Sequence, residues 1–111
     1  MPKPPVEFCI DSFVYRERLG EDRWSEPRYA RPTMIRRCRI DRGDEYSTPA
    51  AGKQLLYSAV IICYAGITEP LPAFKAQSLA IFDGKEHTII KPIPIYEPYR
   101  DVIYSYELEV V

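Results

Sequence analysis

Four arginines, Arg36, Arg37, Arg39 and Arg42, fall close together, with Tyr46 just beyond them and Tyr29 a short way before. A guanidinium presents a planar fork of donors that matches phosphate or carboxylate, and a tyrosine ring offers a face for stacking. Together these residue types suit contact with a phosphate backbone. Asp41, Asp44 and Glu45 interrupt or follow the run and largely offset its charge. That offset favours a plainer reading, a solvated strand whose arginines pair with carboxylates within or between subunits. Under both readings, Arg36, Arg37, Arg39, Arg42 and Tyr46 are the candidate interface or DNA-facing residues.

The rest of the chain holds no catalytic set. The single histidine, His87, follows Glu86 without a serine or cysteine neighbour, so no base stands beside a nucleophile. It reads as a partly exposed strand residue. Glu107 and Glu109 share one face of a strand, where two carboxylates could act as acid and base or hold a metal. On an exposed face they serve more simply as cross-strand ion partners. There is no glycine-rich phosphate loop. Cys9, Cys38 and Cys63 are far apart, odd in number and without a CxxC spacing. Each sits in an apolar or strand-like run, where a thiol packs as a small hydrophobe. Three reduced, structural thiols in a cytosolic setting are expected, with no cofactor, no metal and no enzymatic activity.

The elements that must carry these residues are strands. The last ten residues alternate to the end: Val102, Tyr104, Tyr106, Leu108 and Val110 on one face, Ile103, Ser105, Glu107, Glu109 and Val111 on the other. A period of two is the pattern of a β-strand, and a terminus this regular ties into a sheet or closes a barrel. Ser78 to Phe82 and Lys85 to Lys91 flank Asp83-Gly84, the strongest short hairpin signal, since a type I′ turn needs positive φ at both central residues. Pro92 and Pro94 are expected to end the second of these strands. Leu55 to Tyr64 is almost continuously apolar and rich in β-branched residues, as a buried central strand would be. Thr33 to Asp41 is a further strand, with the Arg36-Arg37 pair breaking its alternation as a bulge does. Val6 to Ile10 and Ser12 to Arg18 read as short strands. Leu19 to Trp24 is a turn whose tryptophan is expected to anchor packing. Between Arg42 and Lys53 no period survives and few large apolar side chains occur, so one long, mobile loop is expected there.

Composition agrees. Nine tyrosines and eleven prolines against five glycines mark a β-rich chain with stiff connections. The length of 111 residues suits one domain, 1–111, able to bury roughly two-thirds of the unfolded surface. Fifteen basic and sixteen acidic residues leave a net charge of −1, against the positive excess of a dedicated nucleic-acid binder. No run reaches the ~18 apolar residues needed to cross a bilayer, and the N-terminal residues lack an apolar signal core. The expectation is an all-β, closed or nearly closed antiparallel barrel of five to seven strands, soluble and without a membrane partner.

Several segments in order resemble one family, the small phage minor capsid proteins of the head-to-tail connector type from tailed phages and prophages of Gram-positive bacteria. They are Lys3-Pro4-Pro5, Tyr15, Gly20-Glu21-Asp22-Arg23-Trp24, Pro27, Tyr29-Ala30, Pro32 and Arg39-Ile40-Asp41-Arg42. The likeness is strongest in Phe82-Asp83-Gly84-Lys85-Glu86, Thr88-Ile89, Tyr96, Pro98 and Tyr106-Glu107-Leu108-Glu109-Val110. Ser105 stands where the family often has a histidine, and the strand through Ile62, Cys63 and Tyr64 is more apolar than usual. The resemblance implies a structural virion component, assembled in the host cytoplasm as a ring at the portal vertex. Its partners would be further copies of itself, the portal or adaptor, tail proteins and packaged DNA in the channel. It offers no catalytic residue to carry over. The alternative is a small cytosolic OB-like or SH3-like barrel that binds nucleic acid or a peptide.

Overall fold

A computed structural model describes residues 3–47 and 54–111, with the side chains of all of these except 44–47 and 54–56. Among these residues eight strands follow a single 3-10 turn at Val6–Phe8: β1 (Asp11–Arg16), β2 (Arg18–Glu21), β3 (Pro27–Tyr29), β4 (Thr33–Ser47), β5 (Gln54–Tyr64), β6 (Leu79–Phe82), β7 (Lys85–Tyr96) and β8 (Ile103–Val110). Six of them form a closed antiparallel barrel in the order β1-β4-β5-β8-β7-β6, and β6 pairs back onto β1. β2 and β3 form a separate two-stranded sheet, an arm outside the barrel. The all-β barrel expected from alternation is therefore the fold.

Alternation explains which side chains fill it. Phe13 and Tyr15 on β1, Ile35, Cys38 and Ile40 on β4, and Ala59, Ile61 and Cys63 on β5 are buried. Ala80 and Phe82, Ile89, and Leu108 with Val110 complete the wall from β6, β7 and β8. The connection after β5 supplies one more core residue. Phe74 packs edge-on against Tyr15 and Tyr106 at 5.0 and 5.3 Å and tilted against Phe13 at 6.2 Å. Polar contacts fix its flank: the Lys75 N–H donates to the Tyr15 hydroxyl oxygen at 3.1 Å, and the Arg18 N–H donates to Ser78 Oγ at 2.9 Å. The three cysteines are buried and free. The Cys63 thiol is pushed far above its ordinary pKa by the Cys38 thiol hydrogen-bonded to it and by burial, so it packs as a neutral group.

The structure departs from the sequence reading at particular places. Val6–Phe8 is a 3-10 turn, not a strand. The turn expected at Leu19–Trp24 starts later, because Arg18–Glu21 pairs with Pro27–Tyr29. Pro92 and Pro94 do not end β7: they lie opposite Leu108 and Tyr106. β6 pairs with β7 only as far as Thr88, so beyond that point β7 has β8 as its one ladder partner. Two prolines two residues apart turn their N–H-free nitrogens to the same unpaired side and cost β8 no bond. Val102 precedes β8 and is exposed, whereas Ser105, on the opposite face, is buried.

The long loop expected over 42–53 is strand from Arg42 to Ser47, paired through Glu45↔Tyr57, Tyr46↔Leu55 and Ser47↔Gln54 with two register shifts. An apolar partner strand that continues past the barrel carries these residues despite their poor β-propensity. Residues 48–53 lie outside the described residues.

Candidate interaction surface

The bulge foreseen at Arg36-Arg37 is where the surface begins. β1 pairs Ser12 with Arg36 and Asp11 with Cys38, which leaves Arg37 as the extra residue. Its φ of 60° puts a non-glycine residue in the left-handed region, a conformation kept only when its surroundings enforce it. The connection after β5 does so. The Thr68 hydroxyl donates to the Arg37 carbonyl at 2.8 Å and accepts from the Tyr64 N–H at 2.9 Å. Arg36 and Glu69 exchange both backbone bonds, at 2.9 and 3.1 Å.

Both arginine side chains are thereby held outward along an open groove of about 640 Å3, lined by Met34, Arg36, Arg37, Glu69 and Pro70. Met34 is 46% exposed and, with Pro70, gives the groove an apolar lining beside two cations. Among the described residues, neither Arg36 nor Arg37 makes an ion pair, and the same holds for Arg39.

The remaining candidates separate from this pair. Arg39 also points outward, in a cross-strand row with Ile62, Glu107 and Ile93. Arg42 is engaged within the subunit: its Nε meets Asp83 Oδ2 at 2.6 Å, one terminal nitrogen meets Asp83 Oδ1 at 3.1 Å, and Asp11 Oδ1 lies 3.4 Å away. The fork lowers the Asp83 carboxyl below its ordinary pKa and raises the Arg42 guanidinium above its own, in each case chiefly through their mutual hydrogen bond. Arg42 thus clamps β4 to the Asp83-Gly84 turn. Tyr46 lies on β4 opposite Leu55, and its side chain is outside the described residues. Tyr29 is covered by Arg16 and Arg18, each 5.9 Å from its ring, and belongs to the base of the arm. His87 stacks on Phe82 with ring centroids 4.0 Å apart. Glu107 and Glu109 are half-buried on the outer face, and among the described residues no cluster of histidine, cysteine and carboxylates could hold a metal.

One exposed feature escaped the sequence reading. Trp24, expected as a packing anchor, is 68% exposed at the tip of the arm, with the Arg23 guanidinium 4.1 Å from its ring centre. The tip is nonetheless rigidly built. Asp22 Oδ1 accepts from the Trp24 and Glu26 N–H groups at 2.9 and 3.0 Å. Two backbone bonds, Asp22 N–H to the Glu26 carbonyl and Ser25 N–H to the Asp22 carbonyl, close the turn. The aspartate two residues before the tryptophan was the available signal, since an Asp side chain that bonds the backbone two residues on builds a surface turn.

Fold and surface together define a class: a small closed β-barrel bearing a two-stranded arm and an arginine-lined groove on its outside. The minor capsid protein family matches residues 5–110, nearly the whole chain, and the chain belongs to that family. It is also similar to the uncharacterized protein ORF5 of Lactococcus phage LL-H, at 25% identity over 98% of this chain and 99% of that one. No solved structure matches it. A phage minor capsid protein has a structural role in the virion. Among the described residues no helix is long and apolar enough to cross a membrane.

Proposed function

We propose that this chain is a head–tail connector or head-closure subunit that assembles as a ring at the portal vertex, between the portal or adaptor and the tail. The observation that carries this reading is a rigid closed barrel of a minor capsid family, with a preformed arm and groove directed outward. A structural ring needs subunits that keep their shape while presenting contacts, and barrel closure removes most of the ladder edges through which strands pair indiscriminately. Where the arginine strand faces the channel, it meets packaged DNA, and repetition around a ring multiplies contacts that are weak singly. The protein then resides in the virion after assembly in the host cytoplasm.

Deleting the gene from the phage or prophage and supplying it in trans tests the proposal. Loss of complete tailed particles, with heads and tails made separately, is the expected result, along with a labelled subunit seen at the portal vertex. Normal yields of complete particles refute it. Arg36, Arg37 and Arg39, which make no ion pair among the described residues, favour a second reading, a barrel module that binds nucleic acid. That reading requires the isolated chain to bind short duplex DNA with a steep salt dependence.

A further inference from the structure

The arm tip and the Arg36-Arg37 groove have opposite character and are borne by the same chain. We infer that the arm of one subunit docks, Trp24 first, in the groove of a second copy of this chain. The inference rests on the ring reading above and names the contact that joins neighbours.

The tip is prepared for such a contact. Four hydrogen bonds fix its turn, yet its one large apolar side chain stays in solvent. Little conformational entropy remains to be lost on docking, and Trp and Arg are both residue types enriched where binding energy concentrates. The groove offers what an indole takes: the Met34 thioether, the Pro70 ring and two guanidinium groups able to lie over an aromatic face. Its volume of about 640 Å3 falls within the roughly 300–1,000 Å3 of sites that hold ligands larger than an indole.

Charge supplies the direction. Within the turn, residues 21–26, Glu21, Asp22 and Glu26 outnumber Arg23, with Arg18 and Arg28 farther back on the arm strands, while Arg36 and Arg37 outnumber Glu69 in the groove. Among the described residues Glu26 has no ion pair, and the exposed Glu21 meets only the half-buried Arg18, at 3.5 Å. An acidic, tryptophan-bearing tip fits a basic groove lined in part by Met34 and Pro70 better than a duplex would, since a phosphate backbone would leave the tip without a partner. Trp24 is exposed in the single chain, so the contact is between chains and not within one. Because the two patches differ, the contact is heterologous, the kind that propagates from copy to copy and closes as a ring when the rotation allows.

Sedimentation velocity of the full chain, from micromolar to millimolar concentration, tests this. The wild type should self-associate, less so at high salt. Trp24→Ala and the double variant Arg36→Glu/Arg37→Glu should each weaken association at least ~30-fold, the size of a central anchor's loss. All three residues are exposed, so thermal melts should match the wild type. The diagnostic sample is an equimolar mixture of these two proteins. One retains a groove and the other an arm, so the mixture should form one-to-one dimers and nothing larger.

A wild type that stays monomeric at millimolar concentration overturns the inference. So do variants that associate normally, a mixture that does not dimerise, or a groove that instead binds a 20-base-pair duplex in an arginine-dependent way. Self-association is read without any phage, so this result and the gene-deletion result can fail separately. A dispensable gene with intact docking removes the connector role alone. Full complementation by a normally associating Trp24→Ala protein removes the docking alone.

Discussion

Two tight turns in this molecule are built from similar parts and used in opposite ways. Both contain an aspartate and a non-glycine residue at positive φ, Asp83 at 54° beside Gly84 and Ser25 at 63° after Asp22. At the β6–β7 turn the carboxylate reaches across the barrel to the Arg42 fork and ties strands distant in sequence. At the β2–β3 turn the carboxylate serves only its own backbone, and the neighbouring tryptophan is left in water. One turn braces the barrel and the other displays a side chain. A similar set of turn residues therefore says nothing of its purpose until the surroundings of its aspartate are known.

The contrast breaks most visibly at the barrel interior that the first turn helps to close. Phe74→Ala removes a ring packed against Phe13, Tyr15 and Tyr106 and should cost about 3 kcal/mol in denaturant unfolding. The corresponding truncation in the arm, Trp24→Ala, should leave unfolding within about 0.5 kcal/mol of the wild type. A large global loss from Trp24→Ala would make the arm part of the core.

Gly84→Ala is the next largest. A Cβ there meets nothing within 4 Å, so only the left-handed φ of 72° opposes it. The expected cost is about 1 kcal/mol, seen as a lowered melting temperature without a change in the folded spectrum.

Arg42→Gln should cost less and in a pH-dependent way. Asp83 has its folded pKa depressed, so its contribution is present above the ordinary carboxylate pKa and is lost as pH falls through the folded value. The melting temperatures of variant and wild type should differ near neutral pH and converge in strong acid. A gap that persists there would assign the effect to the contact of Arg42 with the Phe82 ring.

The smallest global effect is expected from Asp22→Ala. It frees the Trp24 and Glu26 amides, whose hydrogen exchange should accelerate while barrel amides keep their protection. Uniform acceleration across the barrel would abolish the distinction between the two turns.

Short-period features were legible in the residues themselves. The alternation of Tyr106, Leu108 and Val110, the Asp83-Gly84 turn and the doubled arginine of the β4 bulge all rest on interactions within a few positions, so the sequence alone determined them. It also determined that Arg36, Arg37 and Arg39 stand outward, because a charged residue beside Ile35, Cys38 and Ile40 has no apolar alternative to solvent. Which of the arginines remain available was decided only by the tertiary structure. Arg42 is taken by Asp83, its partner 41 positions away, through the register of β4 and the position of the β6–β7 turn. Phe74 enters the core, Pro92 and Pro94 ride within β7 and Trp24 stays outside for the same physical reason. Each depends on which strand lies alongside, and barrel closure settles that for the whole chain at once, whereas a periodicity of two describes one strand at a time.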